Sequence, residues 1–173
     1  MHHFIRAANE KDIDIIMKIE ENSFSPEIQE NKQVFLDRIA TFPEGTFLFF
    51  ESEKAEASGY FSSEIWESIP PQEQSFYTLG HSASERHITL GSVLYISSFA
   101  VFPSSRGGAG RILFKESTST LFTSFPLLKH IVFIVHEDWL AARHIYETEG
   151  FIYTGTLPNF FGQKHALIME KKL

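Results

Sequence analysis

Val93-Leu-Tyr-Ile-Ser-Ser-Phe-Ala-Val-Phe-Pro103, then Ser104-Ser-Arg-Gly-Gly-Ala-Gly110, then Arg111-Ile-Leu-Phe114, reads as strand, glycine loop and helix. The first part is rich in β-branched and aromatic residues. Pro103 ends the ladder because it has no N–H to donate, and apolar residues resume at helical spacing after Gly110. Such a loop sets consecutive backbone N–H groups beside a helix N-terminus, where unpaired donors and the positive dipole end attract an anion. The stretch therefore reads as a phosphate seat, against the plainer reading of a β-α turn whose glycines only relieve crowding. A nucleoside-triphosphate loop is excluded, because Gly110 is followed by Arg111-Ile112 and not by Lys and Ser or Thr. A dinucleotide fingerprint is excluded too, because its third glycine position is Leu113.

The stretch resembles the coenzyme A site of the GNAT acyltransferases, whose usual pattern is Val-x-Pro-x-x-Arg/Gln-x-x-Gly-x-Gly/Ala before a helix with paired aliphatics. Val101, Pro103, Gly108, Gly110, Leu113 and Phe114 fall close to that pattern. The loop is one residue short. Counting from the glycines puts Ser105 at the Arg/Gln position, and counting from Pro103 puts Arg106 there. We follow the glycines, since close backbone approach to a pyrophosphate needs a missing Cβ, whereas a long Arg can reach from a neighbouring position. The resemblance implies coenzyme contacts from Phe99, Ala100 and Val101, from Ser105, Arg106, Gly107, Gly108, Ala109, Gly110 and Arg111, and from Ala142. A second stretch, Ala142-Arg-His-Ile-Tyr-Glu-Thr-Glu-Gly-Phe151, resembles the family's Asn-x-x-Ala-x-x-Leu-Tyr-x-x-x-Gly-Phe, with Tyr146, Gly150 and Phe151 in place. Trp139 stands where Asn is frequent, so no Asn role carries over.

The implied fold is α/β (α+β), a mixed, mostly antiparallel sheet of six or seven strands flanked by about four helices in the order βααβββαβαββ. The implied activity is acetyl-CoA-dependent N-acetyl transfer to a primary amine by direct attack on the thioester, with no metal. A small-molecule acceptor is expected first. The alternatives are a protein or peptide acceptor, or an acyl-CoA-binding module without turnover. The family resemblance casts Tyr146 as the acid that protonates the leaving thiolate, a role a phenol can fill because it keeps its proton at neutral pH. The oxyanion would accept from backbone N–H groups of residues 97–101, freed by a bulge at Ser97-Ser98 that splays this strand from the one at 131–135. Phe24, Tyr95 and Ser97 are expected at the acceptor site, Tyr95 and Ser97 because alternation places them on one face. No base stands out: Glu21, Glu64 or a water are the options. His81 and His87 titrate in the right range but lie in a segment without a readable position.

Composition narrows the alternatives. A chain of 173 residues that is 43% hydrophobic is expected to form one domain, residues 1–173, and its eighteen phenylalanines make the core aromatic. A net charge of −7 argues against nucleic acid as the main partner. With no cysteine there is no disulfide, thiolate zinc site or cysteine nucleophile. No apolar run reaches spanning length and no signal-peptide pattern opens the chain, so a cytoplasmic monomer or homodimer free of membrane is expected.

Along the chain, periodicity predicts a strand over 3–7, a helix after the Asn9 cap, a helix over 27–40, and strands over 46–51 and 57–65. The irregular segment 67–91 reads either as a substrate lid or as a plain excursion, with a short helix after Pro71. A helix over 110–122, a buried strand over 130–135, a helix over 138–148 and strands over 151–155 and 165–170 complete the order. His136-Glu137-Asp138 lacks the His-Glu-x-x-His spacing of a zinc-protease helix, and its carboxylates are expected to cap the helix that follows.

Overall fold

A computed structural model describes residues 2–105 and 107–173. In chain order it contains β1 (Phe4–Ala7), α1 (Ile13–Ser23), α2 (Lys32–Thr41), β2 (Thr46–Phe50), β3 (Ala57–Trp66), the short helices α3 (Gln74–Tyr77) and α4 (Ala83–Arg86), and β4 (Val93–Val101). There follow α5 (Ala109–Ser124), β5 (His130–His136), α6 (Leu140–Thr148), β6 (Ile152–Phe161) and β7 (Lys164–Lys172). The strands form one sheet in the order β1-β2-β3-β4-β5-β7-β6. Every neighbouring pair is antiparallel except β4 and β5, which run parallel and are joined by the α5 crossover. The expected order holds, with α3 and α4 inserted in the irregular segment. Among the described residues no helix is long and apolar enough to cross a membrane.

The sheet is covered on both faces. Ile16 and Ile19 of α1 and Phe35 and Ile39 of α2 pack on Leu48, Tyr60 and Ala100. On the opposite face α5 lays Leu113, Phe114 and Leu121 against Phe61, Leu94, Ile131 and Phe133. Phe114 is the hub of the aromatic core, meeting Phe61, Phe99, Phe133 and Phe151 edge-on at centroid distances of 5.8 to 6.2 Å. Edge-on rings bring positive rims to negative faces, which adds to the area they bury.

Three local expectations are corrected. The second helix begins at Lys32 and not at residue 27, because the Asn31 side chain caps it by accepting the Val34 N–H at 3.1 Å. The last two strands are longer than expected, their hairpin turning through Gly162 at φ +71°. The carboxylates before α6 do not cap it: Glu137 accepts the His165 N–H at 3.0 Å and Asp138 pairs with Lys164 at 3.1 Å.

The 67–91 segment is not a free excursion, because parts of it pack on the sheet. With α3 and α4 it covers the half of the sheet face that α1 and α2 leave bare, burying Tyr77 over Trp66 and Tyr95. Its backbone is pinned on both sides. The Ile88 N–H reaches the Ile65 carbonyl at 2.7 Å and the Ala83 N–H reaches Asp37 at 2.8 Å. Gln72 donates to the Thr154 carbonyl at 2.6 Å, so its amide lies over the backbone of β6. His87 stacks on Phe42 and accepts the Ile65 N–H through Nδ1, and burial holds its pKa down, so it serves as a neutral acceptor.

His81 is the segment's charged anchor. Its Nε2 lies 2.8 Å from Oε2 of Glu64, a carboxylate with no exposed surface that also accepts the Trp66 indole N–H. Burial works against both charges, but the mutual hydrogen bond and attraction win, raising the His81 pKa and lowering that of Glu64. The signs define a window. The Glu64 contribution is full above the ordinary carboxylate value of 4.5 and fades as pH falls through its lowered folded value. The His81 contribution is full below the ordinary imidazole value of 6.5 and fades as pH rises through its raised folded value. Urea melts of the wild-type protein and His81→Gln are therefore expected to differ most between those two values. The gap should shrink on either side, by at most about 1.4 kcal/mol per pH unit. A gap independent of pH would show that the pair is uncharged.

Candidate active site

The site starts from one extra residue in β4. Ser98 pairs with Ser62 of β3, yet Ile96 pairs with the next residue, Ser63, so Ser97 is looped out of the ladder as a bulge. This is the bulge expected from the sequence, and it bends β4 away from β5. The parallel register runs only from Val93/His130 to Tyr95/Val132. Beyond it the strands diverge, and Ile96 to Val101 face no partner on the β5 side. A cleft opens through the wedge, lined by Ile96, Ser97, Ser98 and Phe99 on one wall and by Phe133, Ile134 and Val135 on the other.

The cleft touches both layers of helices. On the α5 and α6 side it is lined by Phe114, Trp139 and Tyr146. Tyr146 packs edge-on to Phe133 at 4.6 Å, and among the described residues its hydroxyl makes no hydrogen bond. Burial pushes its pKa up to about 12, so the phenol keeps its proton at every physiological pH. On the opposite side the cleft is lined by Glu20, Phe24, Ile28, Glu30, Leu79 and Phe161. Phe24 and Trp139 stack on each other at 5.8 Å, joining the two sides.

The α5 N-terminus lies beside this wedge, since a Cβ on Gly110 would come within 3.4 Å of the cleft-lining Phe99 ring. Gly108 caps α5 in the left-handed region at φ +100°, where a side chain is strained. A Cβ on Gly107 or Gly108 would meet none of the described residues within 4 Å, which leaves space over the turn among them. Among the described residues no side chain caps the helix and none supplies an acceptor for the amides of Gly107 to Arg111. Open space over unsatisfied donors at a helix N-terminus fits a phosphate group.

The remaining sequence-predicted residues divide. Ser105 contributes no amide, because its N–H is bonded to the Phe102 carbonyl at 2.9 Å. Arg106 lies outside the described residues. The Arg111 guanidinium pairs with Glu149 at 2.5 Å, tying the start of α5 to the end of α6. Ala100 and Val101 are buried, so only their backbone on the β5 side can meet a ligand. Ala142 lies one turn before Tyr146 on α6 and does not line the cleft. Ser97 and Phe24 do line it. Tyr95 does not: it is 2% exposed and stacks on Trp66 at 3.9 Å, because the bulge between them breaks the alternation that would have paired it with Ser97.

Sequence reasoning missed Glu20. It sits at 1% exposure on the inward face of α1, four residues after Ile16, where the helix otherwise buries isoleucines. Its Oε1 accepts the Glu30 N–H at 2.9 Å and its Oε2 accepts the Tyr60 hydroxyl, which also meets Ser98. Burial raises its pKa, and the repulsion of Glu30 adds to this, against the hydrogen bonds and Arg38. A carboxylate at an apolar position of an amphipathic helix was the available signal. Glu64, an option from the sequence, is committed to His81, and Glu21 is exposed.

No family model and no curated protein matches the sequence. Solved structures match it along its whole length. The loading GNATL domain of CurA from Lyngbya majuscula superimposes with a TM-score of 0.82 over 99% of this chain and 98% of that one, at 13% identity. The chain has the GNAT fold. The GphF GNAT-like decarboxylase in complex with isobutyryl-CoA has a TM-score of 0.76 at 16% identity, covering 98% of both chains. The ribosomal-protein-S18-alanine N-acetyltransferase from Escherichia coli has a TM-score of 0.70 at 17% identity, covering 99% of this chain and 94% of that one. The wedge between β4 and β5 and the uncapped α5 N-terminus are thus features of a GNAT-fold protein, as the two sequence stretches led us to expect.

Proposed function

We propose that this protein is an acetyl-CoA-dependent N-acetyltransferase. The observation that carries the reading is the opened wedge between β4 and β5 lying next to an uncapped glycine turn. A thioester with a long arm and a diphosphate needs an apolar slot and an anion seat side by side, and these two features supply them. The acetyl carbonyl would lie where β4 has lost its partner strand, so that free β4 N–H groups receive the oxyanion as the amine attacks. When the tetrahedral adduct collapses, the C–S bond breaks, the sulfur takes a proton from the Tyr146 hydroxyl, and the proton shed by the former amine nitrogen restores the phenol. With its pKa pushed up to about 12, the phenol is still protonated when the adduct collapses and so has a proton to give.

Electrostatics favour an amine acceptor. The charged groups lining the cleft are Glu20 and Glu30, and Glu30 is neutralised by Arg38. One carboxylate in a wall of Phe24, Ile28, Leu79 and Phe161 suits a cation with an apolar body. The similarity to a GNAT-like decarboxylase suggests a second reading, loss of CO2 from a carboxylated acyl thioester. Glu20 opposes it, since its ionised carboxylate would repel a second negative charge. The apolar enclosure also favours a small primary amine over a protein N-terminus.

A thermal-shift titration tests what these readings share. Acetyl-CoA at 100 times its dissociation constant should stabilise the protein by about 2.7 kcal/mol. Thiol release should then appear with primary amines such as benzylamine and hexylamine, and malonyl-CoA alone should give no CO2 and no acetyl-CoA. Stabilisation without thiol release across amines and short peptides would leave a binding module. No stabilisation would remove the coenzyme reading itself.

A further inference from the structure

We propose that Ser98, Tyr60 and Glu20 form a proton path that takes the proton of the acceptor ammonium from the cleft and delivers it to Glu20. The inference rests on the acyl-transfer reading above. Its basis is a continuous hydrogen-bonded line: Ser98 Oγ meets the Tyr60 hydroxyl, and that hydroxyl donates to Glu20 Oε2. Ser98 and Glu20 line the cleft, whereas Tyr60 is fully buried between them. The bulge at Ser97 is what sets Ser98 opposite Ser62, on the sheet face that carries Tyr60.

Counting protons fixes the direction. An ionised carboxylate only accepts, and a phenol has one proton to give. With that proton directed at Glu20, the Tyr60 oxygen must accept from Ser98, which leaves a Ser98 lone pair turned toward the cleft. An ammonium there finds an acceptor. In the transfer, one ammonium N–H bond breaks and its proton passes to Ser98. The Ser98 proton passes to Tyr60, the Tyr60 proton passes to Glu20, and an O–H bond forms on the carboxylate. Both hydroxyls end as they began, and ammonium plus carboxylate become neutral amine plus carboxylic acid. Glu20 then returns its proton to solvent once product leaves, which resets the line.

The surroundings suit the role. Facing Glu20 are Glu30 from the loop before α2, Arg38 from α2, Tyr60 from β3 and Ser98 from β4. Beyond Arg38 lies the Glu64 and His81 pair. Burial and the neighbouring carboxylates hold Tyr60 far above the usual phenol range, so it relays a proton without resting as a phenolate. Burial raises Glu20 toward neutrality, closer to the pH at which a base is both free and effective.

The test measures kcat/KM against pH with acetyl-CoA and the amine of highest turnover in the panel, beside acetyl-CoA affinity and melting temperature. Glu20→Gln should lower kcat/KM about 100-fold and Ser98→Ala about 10-fold, with acetyl-CoA affinity unchanged. Tyr60→Phe should also slow the reaction. It removes a hydrogen bond that favours ionised Glu20, so the acidic limb should move to higher pH. Glu20→Gln combined with Tyr60→Phe should be no slower than Glu20→Gln alone, because members of one path do not add. Folded variants with wild-type rates and an unmoved limb would overturn the path while leaving acyl transfer intact. No turnover of any amine by the wild-type protein would overturn both.

Discussion

Arg38→Ala is expected to cost about 3–5 kcal/mol of stability, because it strands a buried carboxylate. Arg38 is 1% exposed and grips Glu30 with both terminal nitrogens, at 3.0 and 2.6 Å. Glu30, itself 6% exposed, also accepts the Gly80 N–H at 2.7 Å, so the ion pair joins α2 to the 67–91 segment. For a chain of this size, each kcal/mol shifts the melting temperature by roughly 2–4 °C. A calorimetric scan should therefore show a drop on the order of 10 °C. Removing both charges as Glu30→Gln with Arg38→Met should recover part of that loss, since the penalty comes from the uncompensated charge. A loss under about 1 kcal/mol in the single variant would mean that water reaches Glu30.

Tyr146→Phe is expected to lower kcat about 100-fold while leaving acetyl-CoA affinity nearly unchanged, the mark of an interaction made only in the transition state. The ring would stay packed against Phe133, Phe114 and Phe151. Only the hydroxyl is lost, and among the described residues it holds no hydrogen bond whose loss could unsettle the fold. Steady-state thiol release and calorimetric titration with acetyl-CoA separate the two quantities. An unchanged kcat would remove Tyr146 from the acid role. A fall in affinity matching the fall in rate would make it a packing residue of the coenzyme slot.

What could be read from the sequence followed from how local each feature is. The glycine turn, the crossover helix and the Ser97 bulge are set by neighbouring residues, and all three are present. The late start of α2 is decided by the Asn31 cap and the Glu30 bond to Glu20, which periodicity does not show. Tyr95 was misplaced because a one-residue bulge inverts alternation, and sequence did not show on which side of the insertion the cleft would lie. The 67–91 segment looked irregular because its order comes from distant partners, Asp37, Glu64 and Thr154, and not from its own periodicity. Glu20 is the case most worth remembering. A carboxylate among isoleucines is a local anomaly, but its partner Tyr60 lies 40 positions away, and Ser98, which meets Tyr60, lies 78 positions away.

The single looped-out serine in β4 has a consequence for how this molecule could lose its activity. Excising Ser97 would let Ile96 and Ser98 follow each other in an unbroken ladder against Ser63 and Ser62. The flanking residues would keep their present partners, and β4 would be straight enough to zip up along β5. A chain one codon shorter could thus be better knit than its parent and wholly inert, its working gap closed by the same backbone pairing that stabilises every other strand of the sheet.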